Sequence, residues 1–196
     1  MNKLDENVSA LRVEDDFFEL ADAFRKQFED KILNSAQAEA GVTPLQLAFS
    51  KDNYQFLTTS AERVFTPDLL ESFSDRLRLW GNKLLGAAHV HVSTPQLRVF
   101  YTGFGRNLLK DDVNAVWHFG LSLTQRDGRG KGRIRILENT FPEDRVARLA
   151  MHDFTAIELQ FNRLFVHSTL HPYSIEPASG SATILDATVL LDGYLW

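Results

Sequence analysis

Histidines in two short segments have the residue types and spacing to support chemistry. In the segment QFNRLFVHSTLHPYSIEP, His167 lies on a predicted strand and His171 follows a short turn. In the segment VWHFGLSLT, His118 lies inside another predicted strand. An imidazole can act as an acid or base near neutral pH and can also bind a metal through its neutral ring. These segments are therefore the first candidates for a functional site.

The commonest catalytic motifs are absent from the sequence. There is no G-x-S-x-G nucleophile elbow and no H-E-x-x-H zinc motif. The loop TQRDGRGKGR could attract phosphate, but Gly132 follows Gly130-Lys131 where a Walker motif needs Ser or Thr. We interpret this loop as a hairpin connection. Two carboxylates at the ends of predicted strands, Asp186 and Asp192, are expected to be solvated or turn residues.

Two amphipathic helices are predicted to precede a series of strands. EDDFFELADAFRKQFEDKIL carries apolar residues at steps of three and four. TPDLLESFSDRLRLWGNKLLG has the same period, with Thr66 as a capping residue, Pro67 at the first helical position and Gly86 as a stop. From about residue 88 the period changes to two, in segments such as HVHVS, QLRVFYTGF and GRIRIL. This order predicts an α+β protein with an antiparallel sandwich or barrel.

The bulk composition fits one domain over residues 1–196, with a mainly helical part at 1–87 and a strand-rich core at 88–196. The formal charge of −5 and the pI near 5.7 argue against a nucleic-acid or anionic-membrane partner. The absence of cysteine excludes disulfides and thiolate metal sites. The first residues lack the pattern of a signal peptide, so we expect a cytoplasmic protein. The composition does not specify an oligomeric state.

Several segments between residues 96 and 196 follow one another in a recognisable order. LRVFYTGFGRNLLKDDV, GLSLT and GRIRIL read as a strand, a turn, a second strand and a glycine-led strand, and FNRLFVHSTLHPYSIEP follows as a strand pair. This order resembles the iron(II)/2-oxoglutarate-dependent oxygenases, particularly their prolyl-4-hydroxylase-like branch. The resemblance implies a double-stranded β-helix, which is a jelly-roll or cupin-like barrel, buttressed by the N-terminal helices. It also implies iron(II) and 2-oxoglutarate as cofactors.

In that family, iron sits in a facial triad of two histidines and one carboxylate. The resemblance implies that Asp112 is the carboxylate and His171 the distal histidine, but the proximal histidine falls on Lys110. A protonated lysine has no lone pair and places a positive charge beside the metal, so it cannot bind iron(II). The strand that usually supplies a cation for 2-oxoglutarate offers only the neutral Ser181 or Thr183 here. Both departures predict a remodelled iron site.

Two other arrangements would keep a metal centre, one with a shifted register and one with a different set of ligands. In the first, WHFG resembles the H-x-G motif of iron halogenases, which makes His118 a ligand and leaves Arg133 or Arg135 to bind 2-oxoglutarate. In the second, Asp112, His118 and His171 bind the metal together. This second arrangement requires both histidines to point into the same barrel.

We therefore expect an enzyme that resembles these oxygenases and acts on a small-molecule or peptide-like metabolite with a remodelled iron site. One alternative is a metal-independent acid/base enzyme, such as a cyclase, dehydratase or isomerase, which needs no cofactor. In it, Lys110, Asp112, His118 and His171 would converge, with one of the histidines as the acid or base. The other alternative is a non-catalytic binding or scaffold protein.

Overall fold

The structure, a computed structural model, describes residues 11–34, 44–50, 54–86, 89–100, 105–109, 115–125, 131–137, 154–177 and 184–196. In these ranges there are two α-helices, α1 (Ala21–Phe28) and α2 (Pro67–Leu85). The same ranges contain eleven strands: β1 (Leu11–Glu14), β2 (Gln46–Ser50), β3 (Tyr54–Ser60), β4 (Gln96–Phe100), β5 (Gly105–Leu109), β6 (Trp117–Ser122), β7 (Arg133–Leu137), β8 (Phe154–Glu158), β9 (Leu164–Ser168), β10 (Tyr173–Glu176) and β11 (Thr188–Leu195).

The strands pair antiparallel throughout and form two halves of a barrel. One half has the order β9-β6-β11-β4 and the other has the order β5-β10-β7-β8. Strand β3 pairs with both β4 and β5 and so joins the halves. Strand β1 extends the first half beside β9, and β2 pairs with β3. This arrangement confirms the predicted α+β class and the jelly-roll barrel.

Two apolar clusters lie on opposite faces of the first half of the barrel. The outer cluster packs both helices against the sheet, with Phe24 and Phe28 of α1 and Phe73 and Leu77 of α2 fully buried. The rings of Phe24 and Phe73 meet edge to face with centroids 5.7 Å apart. The inner cluster lies between the two halves and consists of Phe56, Phe100, Ile134, Ile136, Leu159, Phe165, Tyr173, Ile175 and Leu190. The predicted helical buttress is therefore confirmed.

The first helix begins later than its apolar period predicted. Phe17 and Phe18 lie in an irregular segment before α1, and their backbone groups bond to Asn162 instead of to a helical turn. The Asn162 side chain both accepts from the Phe18 N–H and donates to the Phe18 C=O, at 3.0 Å each. After α1 the chain continues as a π-helical turn, Glu29–Leu33. A tertiary contact thus replaces the hydrogen bonds that a longer helix would make.

Helix α2 begins and ends at the predicted residues, but Thr66 does not make the predicted capping hydrogen bond. Pro67 is the first helical residue, and Gly86 ends the helix with a φ of 62°, a left-handed conformation that glycine adopts without strain. Thr66 is the N-cap residue, but its hydroxyl accepts a hydrogen bond from Gln27 of α1 rather than capping the helix. That contact ties the start of α2 to α1.

The part of the chain before residue 88 contains more sheet than predicted. Strands β1, β2 and β3 all belong to this part and all join the barrel sheet. The segments QLAFS and YQFLTTS carry the aromatic and β-branched residues that strands favour, but they are too short for a clear period of two.

Among the described residues, no helix is both long and apolar enough to span a membrane.

Gly120 is required because the ring of Phe165 packs directly on its backbone. A Cβ built at Gly120 overlaps this ring and lies 2.5 Å from Phe165 Cε1. We expect Gly120→Ala to lower the free energy of unfolding by about 1–3 kcal/mol, the usual cost of overpacking a core. Urea unfolding measures the change. The same substitution in a Phe165→Leu background should cost less, and an equal cost in both backgrounds would contradict the contact.

An ion pair joins the segment before α1 to the turn before β9. Arg163 binds Asp15 through two hydrogen bonds of 2.5 and 2.9 Å. Its hydrogen bonding lowers the pKa of the Asp15 carboxyl, against the smaller opposing effect of burial. A carboxyl whose pKa is lowered on folding stabilises the folded state at pH values above its ordinary pKa. This stabilisation is lost as the pH falls through the pKa that the carboxyl has in the folded protein.

We therefore expect Asp15→Asn to lower the free energy of unfolding at pH 7 by no more than about 1 kcal/mol, because the carboxylate is largely exposed. The difference from the wild type should disappear as the pH falls below the lowered pKa. Chemical unfolding of both proteins from pH 7 to pH 2 tests this sign. A difference that grows on acidification would contradict the assignment.

Candidate functional site

A chain of buried polar side chains crosses the first half of the barrel. His118 on β6 lies directly opposite His167 on β9, and Asp192 on the neighbouring β11 pairs with Gly120. The His118 Nδ1 lies 2.9 Å from His167 Nε2, and the His118 Nε2 lies 3.2 Å from Asp192 Oδ2. The two histidines and the aspartate are all fully buried. Both ring nitrogens of His118 are therefore used in hydrogen bonds.

Arg98 on β4 extends this chain by an ion pair. Its Nη1 lies 2.9 Å from Asp192 Oδ2, with the arginine side chain 14% exposed. The guanidinium also lies 5.2 Å from the centre of the Phe56 ring, a cation–π distance. A buried carboxylate is stable only with such partners, because an unpaired buried charge costs several kcal/mol. Arg98, Asp192, His118 and His167 are called the buried network below.

Aromatic rings enclose the two histidines. The ring of Tyr173 stacks on His118 with centroids 4.8 Å apart and planes at 26°, and it also lies 4.7 Å from His167. The ring centroid of Phe165 lies 5.8 Å from that of His118. Tyr173 is the first residue of β10, which belongs to the second half of the barrel. The buried network is thus in contact with both halves.

His171 lies two residues before β10 and is partly buried. Its Nδ1 lies 2.8 Å from the carbonyl oxygen of Leu137 at the end of β7. A carbonyl only accepts, so the proton lies on Nδ1, and the lone pair of the neutral ring is on Nε2. The backbone N–H of His171 donates to Ser168 O at 3.1 Å, which closes the turn between β9 and β10. The ring therefore has a fixed tautomer at the start of the strand.

The structure describes only some of the predicted site residues and does not show them as one cluster. Lys110 and Asp112 lie outside the described residues, as do Ser181 and Thr183. His118 belongs to the buried network and has no ring nitrogen left for a metal, which is against its predicted role as an iron ligand. Within the described part of the chain, no group of three or more His, Asp or Glu residues could hold a metal ion.

Arg133 and Arg135 lie on the outer face of β7. Ile134 and Ile136 of the same strand are buried in the inner cluster, and side chains alternate along a strand. Arg133 is exposed, and Arg135 forms an ion pair of 3.1 Å with Glu176 on β10. This placement is against the predicted role of either arginine in binding 2-oxoglutarate inside the barrel.

Sequence reasoning missed most of the buried network. Asp192 was expected to be a solvated or turn residue, but it is fully buried in the middle of β11. The available signal was a single charged residue within an otherwise apolar eight-residue strand, which is typical of a buried and paired charge. Arg98 and Tyr173 carried no comparable signal, because their partners lie on strands distant in sequence.

Solved structures with the same fold include three oxygenase-like enzymes. A prolyl-4-hydroxylase from Pseudomonas putida is 17% identical, with a TM-score of 0.60 over 96% of this chain and 92% of its own. A prolyl hydroxylase from Trichoplax adhaerens, in complex with a hypoxia-inducible-factor peptide, is 12% identical, with a TM-score of 0.61 over 97% and 84%. A non-haem α-ketoglutarate-dependent carbocyclase from nogalamycin biosynthesis is 9% identical, with a TM-score of 0.68 over 95% and 79%.

These similarities confirm the predicted fold of the iron(II)/2-oxoglutarate-dependent oxygenases. No protein-family model matches the sequence. No curated protein matches it either.

Of the triad that the resemblance implies for this fold, only His171 lies within the described part of the chain. Lysine stands at the position implied for the proximal histidine, and a protonated lysine is not a ligand. The two ring nitrogens of His118 are within hydrogen-bond distance of Asp192 and His167. Only Asp112 and His171 remain of the implied triad.

Proposed function

We propose that this protein is an enzyme that uses the oxygenase barrel for acid/base chemistry on a small-molecule or peptide-like substrate. The observation that carries the proposal is the His171 ring, whose Nδ1–H donates to Leu137 O and whose Nε2 keeps a lone pair. A partly buried imidazole with one fixed tautomer is a suitable general base near neutral pH. The lysine at the position that the resemblance implies for the proximal histidine favours this chemistry over iron-dependent oxidation.

His171 would act in two proton-transfer steps. Its Nε2 removes a proton from a carbon of the substrate, while the Leu137 carbonyl stabilises the imidazolium through the Nδ1–H. Return of the proton to another atom of the substrate gives an isomer. Alternatively, the electron pair forms a double bond, and a hydroxyl group leaves with the proton as water. Neither reaction needs an oxidant or another co-reactant.

Lys110 and Asp112, which follow β5 in the sequence and lie outside the described residues, are proposed to assist. The ammonium group of Lys110 would stabilise the negative charge that develops on a substrate oxygen when the proton is removed. Asp112 would orient that ammonium group by an ion pair. Their closeness in sequence supports these roles, and so does the resemblance, which implies that both residues lie near His171.

Iron-dependent oxidation with a remodelled site is the second candidate. A histidine that binds a metal usually donates its other ring N–H to a carbonyl or carboxylate, and the His171 Nδ1–H does so. The carbocyclase of similar fold is α-ketoglutarate-dependent by its description, and one of the hydroxylases binds a peptide. These neighbours also support the small-molecule or peptide-like class of substrate for either candidate.

Metal-stripped protein separates the two candidates. We expect no rise in Tm when iron(II) or manganese(II) and 2-oxoglutarate are added separately or together, and no conversion of 2-oxoglutarate to succinate. A ligand present at a hundredfold excess over its Kd would stabilise the fold by about 2.7 kcal/mol. A Tm rise that needs both additions, with iron-dependent succinate, would overturn the proposal in favour of the second candidate.

The acid/base activity itself is measured by the exchange of substrate C–H groups with solvent deuterium. A panel of 2-oxo acids, 3-hydroxy acids and short peptides is incubated with the metal-stripped protein in D2O and followed by NMR. For a compound that exchanges, we expect His171→Gln to slow exchange by about 10²–10⁴-fold, the usual contribution of a general base. His91→Gln, which changes an exposed histidine, is the matched control. Equal rates in both variants would reject His171 as the base.

A further inference from the structure

Two donors meet on the carbonyl oxygen of Ser168. One is the backbone N–H of His171, at 3.1 Å, and the other is Nδ1 of His167, at 3.0 Å. The first closes the turn that presents His171, and the second comes from the buried network. The carbonyl thus links the barrel interior to the residue that we propose as the base.

The orientation of this contact requires a proton on His167 Nδ1. The carbonyl of Ser168 only accepts, so a lone pair on Nδ1 would face another lone pair at 3.0 Å. At the other end of the network, the Asp192 carboxylate accepts from His118 Nε2. The contact between His118 Nδ1 and His167 Nε2 needs one proton between the two nitrogens.

Three hydrogen bonds therefore need three protons, whereas two neutral imidazoles supply two. The third proton makes either one imidazolium shared by the two rings or a neutral Asp192. In either case a proton lies on His167 Nδ1, because the Ser168 carbonyl can only accept.

We propose that His167 is a positioning residue for His171, that it acts through the Ser168 carbonyl, and that Asp192 and His118 keep it in the donating form. The consequence for His171 rests on the proposed function, whereas the structural link does not. His167 touches no reacting atom in this scheme. Its hydrogen bond restrains the orientation of the Ser168 carbonyl, which also accepts from the His171 N–H. It thereby restrains the position of the His171 ring.

Other bonds hold the turn even when His167 is changed. The hydroxyl of Thr169 donates to Ala115 O at 2.6 Å, and its backbone N–H donates to Val116 O. The backbone N–H of Leu170 donates to the Ser168 hydroxyl. Variants of His167 should therefore fold with the turn in place, and what changes should be the order of His171.

Two substitutions separate the two sides of the His167 ring. The amide nitrogen of asparagine branches from Cγ, as Nδ1 does, so His167→Asn keeps a donor for Ser168 O and loses the bond to His118. The amide of glutamine reaches one atom further, as Nε2 does, so His167→Gln keeps the bond to His118 and loses the donor to Ser168. Both variants bury one amide in place of one imidazole, which matches them as a pair.

The first measurement is the ¹⁵N spectrum of the histidine rings in the wild-type protein. We expect a proton on Nδ1 of His167 and a proton on Nδ1 of His171. A neutral His167 with a bare Nδ1 would overturn the proposal at once, because it could not donate to Ser168.

The second measurement is amide hydrogen exchange and the ring tautomer of His171 in the two variants. In His167→Gln we expect the His171 amide to exchange about three- to tenfold faster, the effect of losing one hydrogen bond in this unit, and the His171 tautomers to mix. In His167→Asn both should resemble the wild type. Equal behaviour of the two variants would overturn the positioning role, and thermal unfolding confirms that both are folded.

These readouts do not depend on turnover. If the two variants differ as expected but no compound exchanges deuterium in the wild type, the positioning of His171 stands and the proposed acid/base function fails. If exchange activity is found but the variants behave alike, the function stands and the positioning role fails.

Discussion

Asp192→Ala is expected to lower the free energy of unfolding by about 3–5 kcal/mol, the cost of removing one partner from a buried ion pair. Asp192 is fully buried and binds both Arg98 and His118, so alanine leaves a guanidinium and an imidazole without their anion in the barrel interior. Urea unfolding followed by tryptophan fluorescence measures the change. We expect the midpoint to fall and the dependence on urea concentration to stay unchanged.

A second substitution at Arg98 tests whether charge is the cause. The double variant Asp192→Leu/Arg98→Met removes both members of the pair and should be more stable than Asp192→Ala, because no uncompensated charge remains. Asp15→Asn, at an exposed ion pair, is the control for removing a carboxylate elsewhere. If Asp192→Ala lowers the free energy of unfolding by less than about 1 kcal/mol, the buried network has only the energy of an exposed ion pair. That result would contradict its burial.

The fold was predictable because its strongest signals are local. The apolar steps of α2, its proline start and its glycine stop need only neighbouring residues, and the helix has the predicted boundaries. Strands β4, β7 and β10 alternate between buried and less buried residues in the same local way. The start of α1 was predicted wrongly because Asn162, 144 residues away from Phe18, supplies the hydrogen bonds that a helix would otherwise make.

The buried network was much less predictable because it depends on register. The sequence predicted His118 and His167 on strands, but not that β6 and β9 are neighbours or that these two residues face each other. A shift of one residue would send either ring to the opposite face of the sheet. Gly120 contributes to this register, because its missing side chain leaves room for the Phe165 ring beside His118.

The same reasoning explains why His118 was a plausible iron ligand in the sequence. W-H-F-G has the spacing of an H-x-G motif, and spacing alone does not say which partners the ring nitrogens meet. The structure gives both nitrogens protein partners, one on β9 and one on β11. His171 has the opposite arrangement, with a backbone carbonyl at Nδ1 and a lone pair at Nε2.

Under the acid/base proposal, Lys110→His is expected to create an iron site. It restores the histidine that the resemblance implies beside Asp112 and His171, and it replaces a positive charge with a neutral ligand. The metal-stripped variant should gain about 2.7 kcal/mol of stability at a hundredfold excess of iron(II) over its Kd, whereas the wild type should gain none. Thermal unfolding with and without iron(II) measures the difference.

Two further variants show whether the new histidine works with the other two ligands. Lys110→His/His171→Ala should lose the stabilisation by iron(II), while Lys110→Gln, which removes the charge without adding a ligand, should never show it. If Lys110→His binds no iron, Asp112 and His171 do not face a common point, and the proposed placement of Lys110 beside the base is wrong as well. If it binds iron, the change of one residue is enough to give this barrel a metal centre. The acid/base proposal then has a simple explanation, in which the ammonium group of Lys110 replaces the metal as the positive charge near the substrate oxygen.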